Sequence, residues 1–292
     1  MPDPTIPGSR VQFVDLKSGL ITREWFRFLE ALLNMALNSD FYVNVARGVV
    51  SGMSSVNVWG RAPDGLQTTA TDIWDRADST PTQQIWLAPT AARVHAIVST
   101  SANDDGNPVG TGARTVTVYG LKTWTSAESS EVVTLNGVGA VNTANSYVII
   151  HKMVVTTFGS AGPNVGTITA TAATDATVTA AIRPGLGTTQ MAILGVPSGQ
   201  SAFINRVKAS VITDSSLSAN FTLVAATDPA NFPARFTTVR TFGDVNSGSS
   251  NHEEVFQNPL VVAGPCILKL QGIASPADTD ASGGLDLLVV SN

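Results

Sequence analysis

The sequence predicts an all-β protein: two β-sandwich or jelly-roll-like domains, preceded by an extended N-terminal arm and one α-helix. Three observations predict it. Only 13% of the 292 residues are charged, about half the usual share, and Ser and Thr fill the gap with roughly a fifth of the chain. Thr and Val recur together, and both are β-branched and fit a pleated surface. From about residue 47 onward, short apolar or alternating segments recur between turn residues at intervals of roughly 8–20 residues.

Residues 1–21 read as extended, because Pro2, Pro4 and Pro7 each push the preceding residue toward β or polyproline geometry. Val11, Phe13 and Val14 then form a small apolar patch that ends in the turn-like Lys17-Ser18-Gly19. Residues 22–38 read as a helix. Thr22 suits the N-cap and Glu24 complements the dipole in the first turn, but no Glu or Gln completes a capping box. Trp25, Leu29, Leu32 and Ala36 share one face, and Phe26, Leu33 and Leu37 an adjacent one. With Phe28 and Met35, little of the circumference is polar. Such a helix is buried on more than one side, across a sheet or under other chains.

The strands follow. Arg93 to Ser99, Thr115 to Leu121, Glu131 to Leu135 and Tyr147 to Val155 make a first block, and Thr115-Val-Thr-Val-Tyr119 alternates with period 2. Gly110-Thr-Gly112 and Asn136-Gly137 break the runs, and Asp104-Asp-Gly-Asn-Pro108 reads as an exposed loop tip. Val165 to Ala170 and Ala176 to Ile182 are Thr/Ala/Val strands at a soft boundary. A second block holds Ala202 to Val211, Asn220 to Ala226, Thr237 to Phe242, Glu253 to Phe256, Ile267 to Gln271 and Leu285 to Val290. The expected organisation is an arm and anchoring helix at 1–45, a first sandwich at 46–160, Thr/Gly-rich strands and linker at 161–200, and a second sandwich at 201–292.

Composition excludes several classes. The net charge of -5 leaves no basic field for a nucleic-acid backbone. A single cysteine, Cys266, rules out an intrachain disulfide and argues against a thiolate zinc site. No apolar run approaches the roughly 18 residues of a membrane span, and Met1 to Arg10 lacks a basic-then-apolar export signal.

Catalytic patterns are sparse. His95, His151 and His252 have no His or Cys neighbour at helical or strand spacing. No nucleophile elbow is present. Glu253 and Glu254 are adjacent, so in a strand they face opposite ways and cannot flank one glycosidic bond. Asp278-x-Asp280-x-Ser282-Gly283 matches half a calcium loop, but Val289 stands where the bidentate Glu belongs. A solvent-exposed polar turn is the expectation, with no metal, cofactor or catalytic residue. Trp25, Trp59, Trp74, Trp86 and Trp124 all lie in the first 124 positions, as core fillers or interface anchors.

Phe13-Val-Asp-Leu-Lys-Ser-Gly-Leu-Ile-Thr-Arg-Glu-Trp-Phe-Arg-Phe28, running on to Leu33, resembles the N-terminal anchor segment of many tailed-bacteriophage virion proteins, often of short-tailed phages. That segment typically reads F-V-D-x-x-T-G-x-x-T-x-E-W-x-R-F; Leu16 here replaces a frequent Pro and Ser18 a frequent Thr. Asp72-Ile-Trp-Asp75, Gly110 to Leu121, Val133-Thr-Leu-Asn-Gly137 and Asp280 to Val290 resemble a β-domain of viral structural proteins. The resemblance implies a non-enzymatic virion component of the tail or head–tail junction, assembled in the host bacterial cytoplasm. Its partners would be other virion proteins (tail, portal or capsid) and copies of itself in a trimer or ring, without nucleic acid or membrane. The expected docking residues are Phe13, Trp25, Phe26, Leu29, Leu32 and Leu33. The alternatives are a capsid decoration or head-fibre protein, and a tail-associated glycan-binding or glycan-hydrolysing protein. Thr-rich strands such as Val165 to Thr171 are expected near a subunit contact.

Overall fold

A computed structural model describes residues 11–76, 85–212, 218–246, 250–275 and 277–292, with side chains at all of these except 31–40, 64, 212, 243–246 and 250. The chain forms two compact units, Met1–Ser55 and Val56–Asn292.

The first unit is built on helix α1, Arg23–Ala46. It starts where the sequence places it, but Thr22 makes no side-chain cap. Nothing in Ser39-Asp40 stops the helix at residue 38, and it runs on to a glycine stop. Gly48 sits at φ +71, its N–H donates to the Val45 carbonyl, and the Val49 N–H donates to that of Asn44. This is a Schellman closure, which favours a residue without Cβ at the left-handed position.

The second unit is β-structure. Its strands, in chain order, are β1 Met53–Leu66, β2 Thr71–Asp72, β3 His95–Ser99, β4 Ala113–Leu121, β5 Ser129–Thr134, β6 Val141–Asn142, β7 Ile149–Phe158, β8 Ile168–Ala172, β9 Thr177–Ile182, β10 Ile193–Val196, β11 Gln200–Ile212, β12 Ser218–Ala226, β13 Thr237–Asn246, β14 Ser250–Ala263, β15 Cys266–Ser275 and β16 Thr279–Ser291. They form four sheets with the orders β6-β3-β8-β9, β5-β4-β7, β1-β16-β11-β14 and β10-β15-β12-β13, with β2 also beside β15.

The first two sheets enclose a core of Ile97, Val116, Val118, Ile149, Met153, Ile168 and Ile182. The alternation of β4 builds it directly. Val116 and Val118 point inward, while Thr115 and Thr117 hydrogen-bond across to Thr157 and Thr156 on β7. The other two sheets enclose Val58, Ile204, Val207, Phe221, Leu223, Leu268, Leu270, Leu285 and Leu287. Strand β15 is covered on both faces: Cys266, Leu268 and Leu270 enter this core, and Ile267 enters the first.

The pairing divides the chain differently from the boundaries expected above. Strands β1 and β2, in the 46–160 segment, belong to the C-terminal sandwich, because β1 pairs with β16 and β2 with β15. The 161–200 segment contains no linker among its described strands: β8 and β9 complete the first sandwich and β10 joins the second. Strand β8 lies between β3 and β9, so the Thr-rich run from Val165 to Thr171 has no free edge there to meet another subunit.

The loop at Asp104 also differs from expectation. Asp104 is fully buried. Its carboxylate accepts hydrogen bonds from the Ser99 hydroxyl at 2.6 Å and from the backbone N–H groups of Ala113, Val165 and Gly166 at 2.8 Å each. The acidic cluster that reads as a solvated tip is partly a buried staple, because three loops bring donors to it.

Candidate functional site

The segment that precedes α1 is a locked hairpin. Val14 and Ile21 form an antiparallel bridge, the Thr22 N–H donates to the Phe13 carbonyl, and the Asp15 N–H donates to that of Leu20. Asp15 Oδ1 accepts from the Lys17 N–H at 2.9 Å. That bond, with the Ser18 hydroxyl, holds the Asp15 carboxyl below its ordinary range. Gly19 turns the chain at φ +70. The Thr22 hydroxyl donates to the Gln12 carbonyl at 2.7 Å, and Trp25 Nε1 donates to the Val11 carbonyl at 3.0 Å. The Trp25 ring meets Phe13 edge-on at 5.4 Å and Phe28 at 5.6 Å. Asp15, Gly19, Thr22 and Trp25, four positions of the motif quoted above, therefore each have a local structural task.

This hairpin leaves apolar side chains on the outside. Phe13, Phe26 and Leu29 are 48%, 57% and 39% exposed. Trp25 is half-buried within the arm itself, and the side chains of Leu32 and Leu33 lie outside the described residues. Sequence reasoning missed Leu16, Leu20, Tyr42 and Val43, all exposed. Leu16 and Leu20 flank the turn at Lys17-Ser18-Gly19, which is the signal that could have found them.

The other sequence candidates do not converge. His95 is buried, its Nδ1 stands 3.0 Å from the Arg93 carbonyl, and burial pushes its pKa down to about 4. His151 Nε2 is 2.6 Å from Glu128 Oε2, a bond that holds the Glu128 carboxyl below its usual range. His252 stacks on Phe242. Glu253 and Glu254 take different partners, Arg206 and Arg240. Cys266 is buried, and its thiol is pushed up to about 12. Trp74 and Trp86 fill the core, whereas Trp59 is 39% exposed.

The expected turn at 278–282 is shorter than the sequence suggested. Asp278 is exposed and accepts from Gln67, but β16 already begins at Thr279. Asp280 and Ser282 are thus strand residues, and Ser282 hydrogen-bonds Ser210 across from it. Asp286 points outward with the strand's own period and meets Arg206 and Lys208. Among the described residues, no group of three or more His, Cys, Asp or Glu is placed to hold a metal ion. No described helix is long and apolar enough to cross a membrane.

On the β1-β16-β11-β14 sheet, Trp59, Lys208, Ser210, Asn251 and Glu253 line a shallow groove of about 260 Å³. With His252 also on its lining, it mixes two aromatic rings with hydroxyl, amide and balanced charged groups.

No family model matches the chain, and no curated protein matches it. Solved structures give weak likenesses. A chain in the structure of infectious bursal disease virus, Gt strain, aligns at 10% identity and TM-score 0.24, covering 82% of this chain and 70% of that one. A chain from the T13 viral particle of the same virus aligns at 11% identity and TM-score 0.25, covering 82% and 68%. Scores this low do not establish a common fold.

Proposed function

We propose that this chain is a non-enzymatic structural component of a bacteriophage virion, at the tail or head–tail junction, docked through its N-terminal segment. One observation carries the reading. The hairpin and α1 are locked by their own hydrogen bonds, yet Phe13, Phe26 and Leu29 remain on the surface. An arm that spends polar contacts on its own shape and presents its apolar groups outward is suited to a partner surface. The partners are other virion proteins, with copies of this chain in a trimer or ring. In the full chain, Phe26→Asp with Leu29→Asp should leave circular dichroism and melting unchanged while the protein no longer joins purified particles. Deleting residues 1–45 removes the helical signal of α1, but should leave the β-structure folded while the protein likewise no longer joins particles. Normal incorporation of either variant refutes the docking role.

A second reading, a glycan-binding component, is favoured by the groove beside Trp59. An indole face among hydroxyl and amide groups suits a neutral sugar ring. Loss of saccharide binding in Trp59→Ala would support it; a wild-type protein that binds no neutral oligosaccharide would remove it.

A further inference from the structure

Lys269 interrupts the run Cys266-Ile-Leu-Lys-Leu270 in β15, a strand covered on both faces. It is 3% exposed, and its carboxylate partner, Asp72, is 0% exposed. Nζ stands 2.8 Å from Asp72 Oδ2. The register places Asp72 opposite Gln271, so Lys269 is its diagonal neighbour on the same face. Gln271 Nε2 donates to Asp72 Oδ1 at 2.9 Å, and the Trp86 N–H donates to Oδ2 at 2.7 Å. The Phe236 ring lies over the amine, 4.1 Å from Nζ to the centroid. A lysine nitrogen is therefore held against a carboxyl group, away from water, with donors already aimed at both carboxyl oxygens.

We propose that Lys269 and Asp72 condense to an intramolecular isopeptide bond, Nζ to Cγ, that ties β15 covalently to β2. The ammonium first passes one proton to the carboxylate along their hydrogen bond. The nitrogen lone pair then attacks Cγ, a C–N bond forms, and the displaced electron pair settles on Oδ1, where the Gln271 amide stabilises it. The Cγ–Oδ2 bond breaks as that pair returns. The departing oxygen takes a second proton from nitrogen and leaves as water. An ammonium and a carboxylate thus become one secondary amide and one water, with no oxidant, reductant or cofactor. Fixed groups at contact reach effective concentrations of roughly 10⁵–10⁸ M, which lowers the barrier to a condensation that free amines and acids do not make in water. The surviving carbonyl oxygen, Oδ1, keeps its Gln271 hydrogen bond, and its second lone pair can accept the Trp86 N–H once Oδ2, the present acceptor, has left as water.

The test is the mass of the full-length protein under denaturing conditions. The wild type should weigh about 18 Da less than its sequence, one water per bond formed. Trypsin cannot cut at an amidated lysine, so the digest should contain residues 62–76 joined to residues 241–292. Lys269→Arg keeps the charge but cannot form this bond, and should restore the sequence mass of the variant and release residues 62–76, 241–269 and 270–292 as three separate peptides. A wild-type protein at its full sequence mass, with residues 241–269 released as a separate peptide, would overturn the proposal whether or not the variant folds.

Discussion

Removing the Asp104 carboxylate should unfasten three loops of the first sandwich at once. In Asp104→Ala, the N–H groups of Ala113 and Gly166 lose their acceptor in a buried setting, that of Val165 in a half-buried one, and the Ser99 hydroxyl loses its partner. An orphaned buried donor costs about 1–3 kcal/mol. Two fully buried donors and a hydroxyl, partly relieved by water entering the space, give a loss of about 4 kcal/mol. For a body of this size that is a drop of roughly 10 °C in melting temperature. Asp104→Asn separates the contributions. Its amide oxygen can still serve Ala113 and Val165 from the Oδ1 position, but its NH₂ would confront the Gly166 N–H. The loss should be about half as large. Thermal unfolding followed by circular dichroism measures the first effect. Amide hydrogen exchange at Ala113, Val165 and Gly166 measures where it acts. A melting temperature within about 2 °C of wild type, with exchange unchanged, would refute the account of Asp104 as a buried staple.

Two further outcomes follow from the same body. Burial holds His95 neutral, with a pKa pushed from 6.5 to about 4, so the unfolded chain takes up the proton first. Stability should be independent of this group above about pH 6.5 and fall by about 3 kcal/mol as pH drops to 4. Urea titrations across that range should show a shallower fall in His95→Phe, and parallel pH profiles would contradict the assignment. A Cβ added at Gly60 would stand 2.3 Å from the Ile73 carbonyl oxygen and 2.5 Å from the Ala192 nitrogen. Both are backbone atoms that cannot step aside, so Gly60→Ala should cost at least about 2 kcal/mol by chemical denaturation; an unchanged midpoint would show that β1 does not pack there as described.

Local chemistry determined much of this protein from its sequence. Thr/Val alternation marked β4, and the other strands named from the sequence were legible because side-chain period and turn residues act over a few neighbours, whereas β1, β2, β6 and β10 were not named. The helix start at Thr22 and the apolar arm residues Phe13, Phe26 and Leu29 were legible for the same reason. Tertiary structure alone decided which strands share a sheet. Strand β1 pairs with β16 from the far end of the chain, and no local pattern encodes a partner at that separation. It also decided the fate of the buried polar groups. Asp104 reads as a loop-tip acid in sequence and nothing local marks Asp72 as buried, but distant N–H groups and a lysine converge on them. Burial of a carboxylate depends on donors gathered from three or more segments, so only the folded chain reveals which acid is solvated and which one is part of the core.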